Sequence, residues 1–147
     1  MKEVCKKAKN WLNRNYNDHK QLDADRRTLE IMENRLSAGV ARYDSDGTES
    51  HDADAAKARH DDALLDYSTQ KAKVEKEERR LFRELVKTRN AIDQLSDPAQ
   101  KAVAIDRYIN RLRWEDIAKV EHVSIAQIYR LHRFMLEQMA EILKFKY

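Results

Sequence analysis

A chain of 147 residues has room for one domain, or for one small domain with an extension. Its 37% charged residues, 7% aromatics, two glycines and single proline describe long exposed helices around a thin core and leave little for sheet. The lone cysteine, Cys5, excludes an internal disulfide, and no apolar run approaches the length of a membrane span, so a soluble cytoplasmic protein with no membrane partner is expected. Formal net charge is +3, and the whole excess lies late: residues 1–97 hold 20 basic and 20 acidic groups, residues 98–147 hold 9 and 6. That sign suits a phosphate-contacting segment, although a surplus of three does not by itself argue for nucleic acid.

From about Lys2 to Leu36 a heptad can be laid down, with Met1, Ala8, Asn15, Leu22, Leu29 and Leu36 at one core position and Val4, Trp11, Asp18, Asp25 and Met32 at the other. No proline or glycine interrupts it, and one long helix is expected. A second heptad runs from about His60 to Leu95, with Leu64, Lys71, Glu78, Leu85 and Ile92 alternating with Tyr67, Val74, Leu81, Thr88 and Leu95. Folded back on each other, the two helices oppose residues whose numbers share a constant sum. A sum of 96 sets Met32 against Leu64, Leu29 against Tyr67, Leu22 against Val74, Trp11 against Leu85 and Val4 against Ile92. It also sets Asp25 against Lys71 and, unfavourably, Asp18 against Glu78. A slip of one heptad scores almost as well.

The connection, 37–55, is rich in Asp, Ser and Gly without apolar period, and a mobile loop is expected there. Its DSDG at 44–47 resembles the start of a calcium loop, but Ala53 stands where the bidentate acidic ligand belongs. His51, Asp52, Asp54 and His60 could hold a metal; on a polar tip such residues are more often simply solvated, and no metal is assigned.

Ser96-Asp97-Pro98 is a helix start, with Ser96 or Asp97 as the cap and the chain's only proline in the first turn, where its missing amide does no harm. The helix it begins, about 99–112, puts Ala102, Ile105, Ile109 and Leu112 on one face, with Tyr108 beside them.

Residues 114–139 then have the spacing of a helix-turn-helix. Ile117 and small Ala118 fall where the first helix must approach the second, and Val123, Ile128 and Leu131 supply the apolar contacts beyond. His122 stands mid-turn, where glycine is commonest; histidine tolerates a left-handed backbone better than most residues. Ser124 is placed as the N-cap of the second helix. That helix is expected to run through Phe134, Leu136, Met139, Ile142 and Leu143, more apolar surface than a three-helix motif covers, so its tail should pack on the hairpin or make a homodimer contact.

On these residues the chain resembles known regulators. Arg111 to Met139 resembles region 4 of bacterial sigma factors, and the whole chain resembles more closely the ArpU-like and RinA-like phage transcriptional regulators, through the segments IDRYINRLRWEDIA (105–118) and VSIAQIYRLHR (123–133), the SDP start and the charged hairpin. The fold this implies is all-α: a long antiparallel, coiled-coil-like helical hairpin (1–95) followed by a sigma region 4-like helix-turn-helix domain (96–147). The function it implies is transcription regulation of phage or prophage genes, with double-stranded DNA as partner and host RNA polymerase as a candidate second partner. Where sigma factors carry charged base readers, this chain has Ile125 and Ala126, so minus-35 specificity does not carry over; thymine-methyl contacts would suit these two.

With Ile128, Leu131 and Met135 inward, the helical period turns Ser124, Ile125, Ala126, Gln127, Tyr129, Arg130 and Arg133 outward, with His132 near the edge. Gln127 can pair bidentately with adenine and Arg130 with guanine. Tyr129 and Arg133, with Arg111, Arg113 and Lys119 around the first helix, are suited to phosphates, and Trp114 either to the core or to the DNA backbone. Any one of these side chains has an ordinary alternative as part of a solvated helix face; the set argues more than its members.

No glycine-rich phosphate loop is present, Cys5 has no histidine partner at a defensible spacing, and Asp61-Asp62 and Glu77-Glu78 sit on polar stretches, so no catalytic residue and no cofactor are expected. The competing expectation is an interaction protein whose hairpin binds RNA polymerase or a repressor, with the helix-turn-helix as a packing module. A small DNA-packaging subunit is a third.

Overall fold

The computed structural model describes the backbone of residues 2–46 and 51–145, and the side chains of 2–39 and 53–145. The described residues are all helical, with no strand. The order is α1 (Glu3–Leu12), α2 (Tyr16–Asp46), α3 (His51–Ile92), α4 (Pro98–Ala104, running on through a π turn, Ile105–Ile109), α5 (Trp114–Glu121) and α6 (Ile125–Ile142).

The single helix expected over 2–36 is two. Asn13 leaves the helix at φ −92°, ψ 3°, and its amide and that of Arg14 close on the carbonyls of Lys9 and Trp11 before Tyr16 restarts α2. Neither proline nor glycine makes this break. Asn13 and Asn15 are poor helix formers whose amides compete for backbone groups, and Arg14 folds back to donate from Nη1 to the Trp11 carbonyl at 2.9 Å. The loop expected over 37–55 is also largely helix, since α2 reaches Asp46 and α3 begins at His51. Alanines at 38, 53, 55, 56 and 58 favour helix enough to outweigh the Asp and Ser between them. Residues 47–50 of that stretch, and the side chains of His51 and Asp52, lie outside the described residues. No helix among the described residues is long and apolar enough to cross a membrane.

The chain divides into two compact units, 17–81 and 1–16 with 82–147. Residues 1–16 group with the C-terminal helices because α1 packs on α6.

In the unit of 17–81, Leu22, Val74 and Leu81 are buried, with Leu29 against them. Arg80 reaches Asp18 at 3.0 Å and Arg26 reaches Glu78 at 3.0 Å, so numbers rise along α2 as they fall along α3 and these stretches run antiparallel. Leu22 and Val74 share this cluster with Leu81 and Leu29, a set that fits the sum of 96 and its one-heptad slip alike, and Leu64, expected inside, is 47% exposed. The acids of the expected Asp18–Glu78 clash each take an arginine instead. Exposed pairs of this kind contribute little, and three buried residues among those described make a thin core.

The other unit holds most of the buried apolar surface. Val4, Cys5, Ala8 and Leu12 of α1 join Ala91, Ile92 and Leu95, then Ala104 and Tyr108, and Met135, Leu136, Met139 and Ala140 of α6. Of the surplus apolar residues of α6, Leu136 and Met139 are buried in this cluster and Ile142 and Leu143 pack against it, while Phe134 is 41% exposed. A second cluster, Val103, Ile117 and Ile128, with Leu112, Trp114, Ala118 and Leu131 around it, sits where α4, α5 and α6 meet. Each fully buried Ile in it contributes on the order of 2 kcal/mol by removal from water. Of the inward face expected for α4, Ile105 and Ile109 pack on the first cluster beside Tyr108 and Leu112 packs on the second, Ala102 is only half-buried, and the buried Val103 and Ala104, not expected there, serve the second and first clusters. The π turn, closed by the Asn110 amide on the Ile105 carbonyl at 2.9 Å, adds a residue to the turn and lets one helix feed both clusters.

Candidate nucleic-acid interface

Local chemistry fixes the turn between α5 and α6. The His122 amide donates to the Lys119 carbonyl at 3.3 Å and the Val123 amide to that of Ala118 at 3.1 Å, with His122 left-handed at φ 56°, ψ 40°. This is a Schellman ending with histidine where glycine is usual. Two residues later Ser124 caps α6, its Oγ accepting from the Gln127 amide at 3.2 Å. Asp97 caps α4 in the same way, accepting from the Ala99 amide at 3.0 Å ahead of Pro98. Val123, assigned to the turn's apolar contact, is instead 38% exposed.

The face of α6 assigned to DNA is exposed at Ser124, Ile125, Ala126, Tyr129, Arg130 and Arg133, and half-exposed at Gln127. Arg130 donates from Nη1 to Gln127 Oε1 at 3.2 Å. Tyr129 is 48% exposed and rests on the edge of Trp114, ring centroids 5.5 Å apart. Around α5, Lys119 and Arg111 are exposed, Arg111 in a left-handed conformation at φ 57°. Arg113 is exposed but holds Asp116 at 3.1 Å, an ion pair that a phosphate would have to replace.

Trp114 goes to the core side, against the second cluster, with the Arg107 guanidinium 4.5 Å above its ring and His132 4.5 Å from it edge-on. His132, assigned to the edge of the outward face, is buried. Its Nε2 is hydrogen-bonded to the Tyr108 hydroxyl at 2.7 Å, and burial, with Lys9 and Arg107 nearby, lowers its pKa to about 4. The imidazole is therefore neutral at pH 7, and burial pushes the Tyr108 phenol up so that it stays protonated. On α5, burial and a hydrogen bond with Asp106 raise the Glu121 carboxyl.

Charge is more unequal than the sequence order suggests. The unit of 1–16 with 82–147 carries 17 basic groups against 10 acidic, net +7, whereas 17–81 carries 12 against 16, net −4. Grouping the lysines of α1 with the C-terminal helices makes the difference.

Compared with known proteins, the chain matches no family model, no curated protein and no solved structure. The resemblance to phage regulators accordingly rests on the residues quoted above.

Proposed function

We propose that this protein is a sequence-specific DNA-binding transcription regulator, with α5, the His122 turn and α6 acting as a sigma region 4-like helix-turn-helix and the start of α6 entering the major groove. The observation that carries the reading is the exposed start of α6, where Gln127, Arg130 and Arg133 follow a Schellman turn and a serine cap on a unit of net charge +7. Gln127 and Arg130 read base edges; Tyr129, Arg133, Arg111, Arg113 and Lys119 hold phosphates. Phage or prophage promoters are the targets that the resemblance favours. The test is selection from a random double-stranded pool at physiological salt, with the intact chain beside Arg130→Ala. One enriched motif, altered at a single position by the variant, is the expected result; no enrichment by either protein sinks the reading.

A second reading makes the α2–α3 hairpin the working part, as a docking surface for RNA polymerase, a repressor or a second copy. Its support is the net charge of −4 on 17–81 and the exposure of Ile31, Leu64 and Leu65 there. Activity that survives Arg130→Glu with Arg133→Glu would favour it.

A further inference from the structure

The sequence order leaves α1 out of any DNA-binding surface, but α1 packs on α6 and shares its core through Val4, Cys5, Ala8 and Leu12. With those four inward, Lys2, Lys6 and Lys9 fall at i, i+4 and i+7, one stripe along one flank of α1. On α6, Ala126, Arg130, Arg133 and Glu137 form a stripe of the same kind. Two observations fix how these stripes run. Lys2 Nζ lies 3.8 Å from Glu137 Oε1, and Lys9 is near enough to His132 to act on its imidazole. Numbers rise along α1 as they fall along α6, so the lysine stripe runs from Glu137 back toward the end of α6 that carries Arg133 and Arg130. Lys2 meets an acid at the far end, while Lys6 is exposed and Lys9 half-exposed nearer the arginines. Lys7 lies on the opposite flank of α1 and is exposed there.

We propose that Lys6 and Lys9 bind phosphates, so that α1 forms a second wall of the DNA-binding surface and holds the backbone beside the groove entered by α6. The inference rests on the DNA reading above and adds to it a segment about 120 residues away from the start of α6 in the chain. Lysine serves here as a point charge, and neutralising a phosphate releases counterions whatever the base sequence.

The test titrates the intact chain with a short fluorescein-labelled duplex of mixed sequence, followed by anisotropy over a series of salt concentrations. Wild type is compared with Lys6→Gln/Lys9→Gln and with Lys7→Gln. The slope of log Kobs against log salt should fall by about 0.9 for each phosphate that the double variant no longer neutralises, and Lys7→Gln should keep the wild-type slope. A double variant with the wild-type slope overturns the role of α1 while leaving the DNA reading intact. A fall in Lys7→Gln half that of the double variant overturns it too, because each lysine lost would then count alike and net charge alone would be acting. A wild type that binds no duplex overturns the DNA reading and this inference together.

Discussion

Arg130 donates from Nη1 to the side-chain oxygen of Gln127 at 3.2 Å, one turn back along the exposed start of α6. The two side chains proposed to read bases are therefore coupled before any DNA arrives. An arginine steered by a neighbouring amide loses less rotamer freedom on meeting guanine, and the same amide, flipped, can still address adenine. On the selected site, Arg130→Ala should cost about 1–3 kcal/mol and relax one position. Combined with Gln127→Ala, the losses should fall short of additive by about 0.5 kcal/mol or more. Anisotropy on the selected duplex measures all four corners of the cycle, and strict additivity would show that the coupling has no role in readout.

Among the described residues, three helical segments end on left-handed residues that are not glycine: Arg111, His122 and Lys144. The chain's two glycines stand at 39 and 47 and serve none of these turns. A side chain in this conformation costs about 1 kcal/mol that glycine avoids. His122→Gly should accordingly raise stability by about 0.5–1 kcal/mol in urea unfolding, with the turn unchanged. His122→Val should lower it by more than that, because branching at Cβ worsens the clash. A glycine variant less stable than wild type would mean that the imidazole contributes more than the strain removes.

Legibility follows the range of the interactions. The α5 turn, the Ser124 and Asp97 caps and the burial of Ile117 and Ile128 are set by neighbours a few residues apart, and their spacing is visible in the sequence. The break at Asn13 is hidden because apolar residues continue in heptad phase across it, and what turns the chain is Arg14 reaching back to Trp11 and across to Glu84, 70 residues on. The partnership of α1 with α6 is hidden for the same reason: Val4 and Ala8 fit a hairpin heptad as well as they fit Met135 and Met139. The angle of His132 on the helix points to the rim; Tyr108, delivered by the π turn, makes that rim an interior. The residues of α6 proposed for the interface need only the helical period, whereas the lysines of α1 need the tertiary fold.

Arg14 should be the most sensitive polar residue of the α1–α2 corner. Its Nη2 donates to Glu84 Oε2 at 3.1 Å and to the Glu84 carbonyl at 3.2 Å, Nε reaches the same carboxylate at 3.3 Å, and its guanidinium stands 4.0 Å over the Trp11 ring. Lysine offers neither the fork nor the flat face. Both Arg14→Lys and Arg14→Ala should lower stability by about 1–3 kcal/mol, with lysine recovering little of the loss. Thermal unfolding followed by circular dichroism checks this, and a lysine variant as stable as wild type would show that a point charge near Glu84 is sufficient.

His132 gives the fold a dependence on acid whose sign follows from its burial. Its pKa falls from an ordinary 6.5 to about 4 in the folded chain. Between those values the unfolded chain binds a proton that the folded chain refuses, so stability is complete above about pH 6.5 and is lost as pH falls toward 4. The groups facing the ring are Tyr108 and Arg107 from the π turn and Lys9 from α1, and the two cations oppose a charge on the imidazole as burial does. The loss should be on the order of 3 kcal/mol across the window. Glu121, raised by its own burial and by Asp106, works in the opposite direction, since the folded chain keeps that proton longer. Subtracting the profile of His132→Gln, which keeps a polar partner for Tyr108 but does not titrate, isolates the histidine. Wild type should lose stability more steeply than the variant between pH 6.5 and 4; parallel profiles would mean that the imidazole takes up its proton in the folded state without penalty.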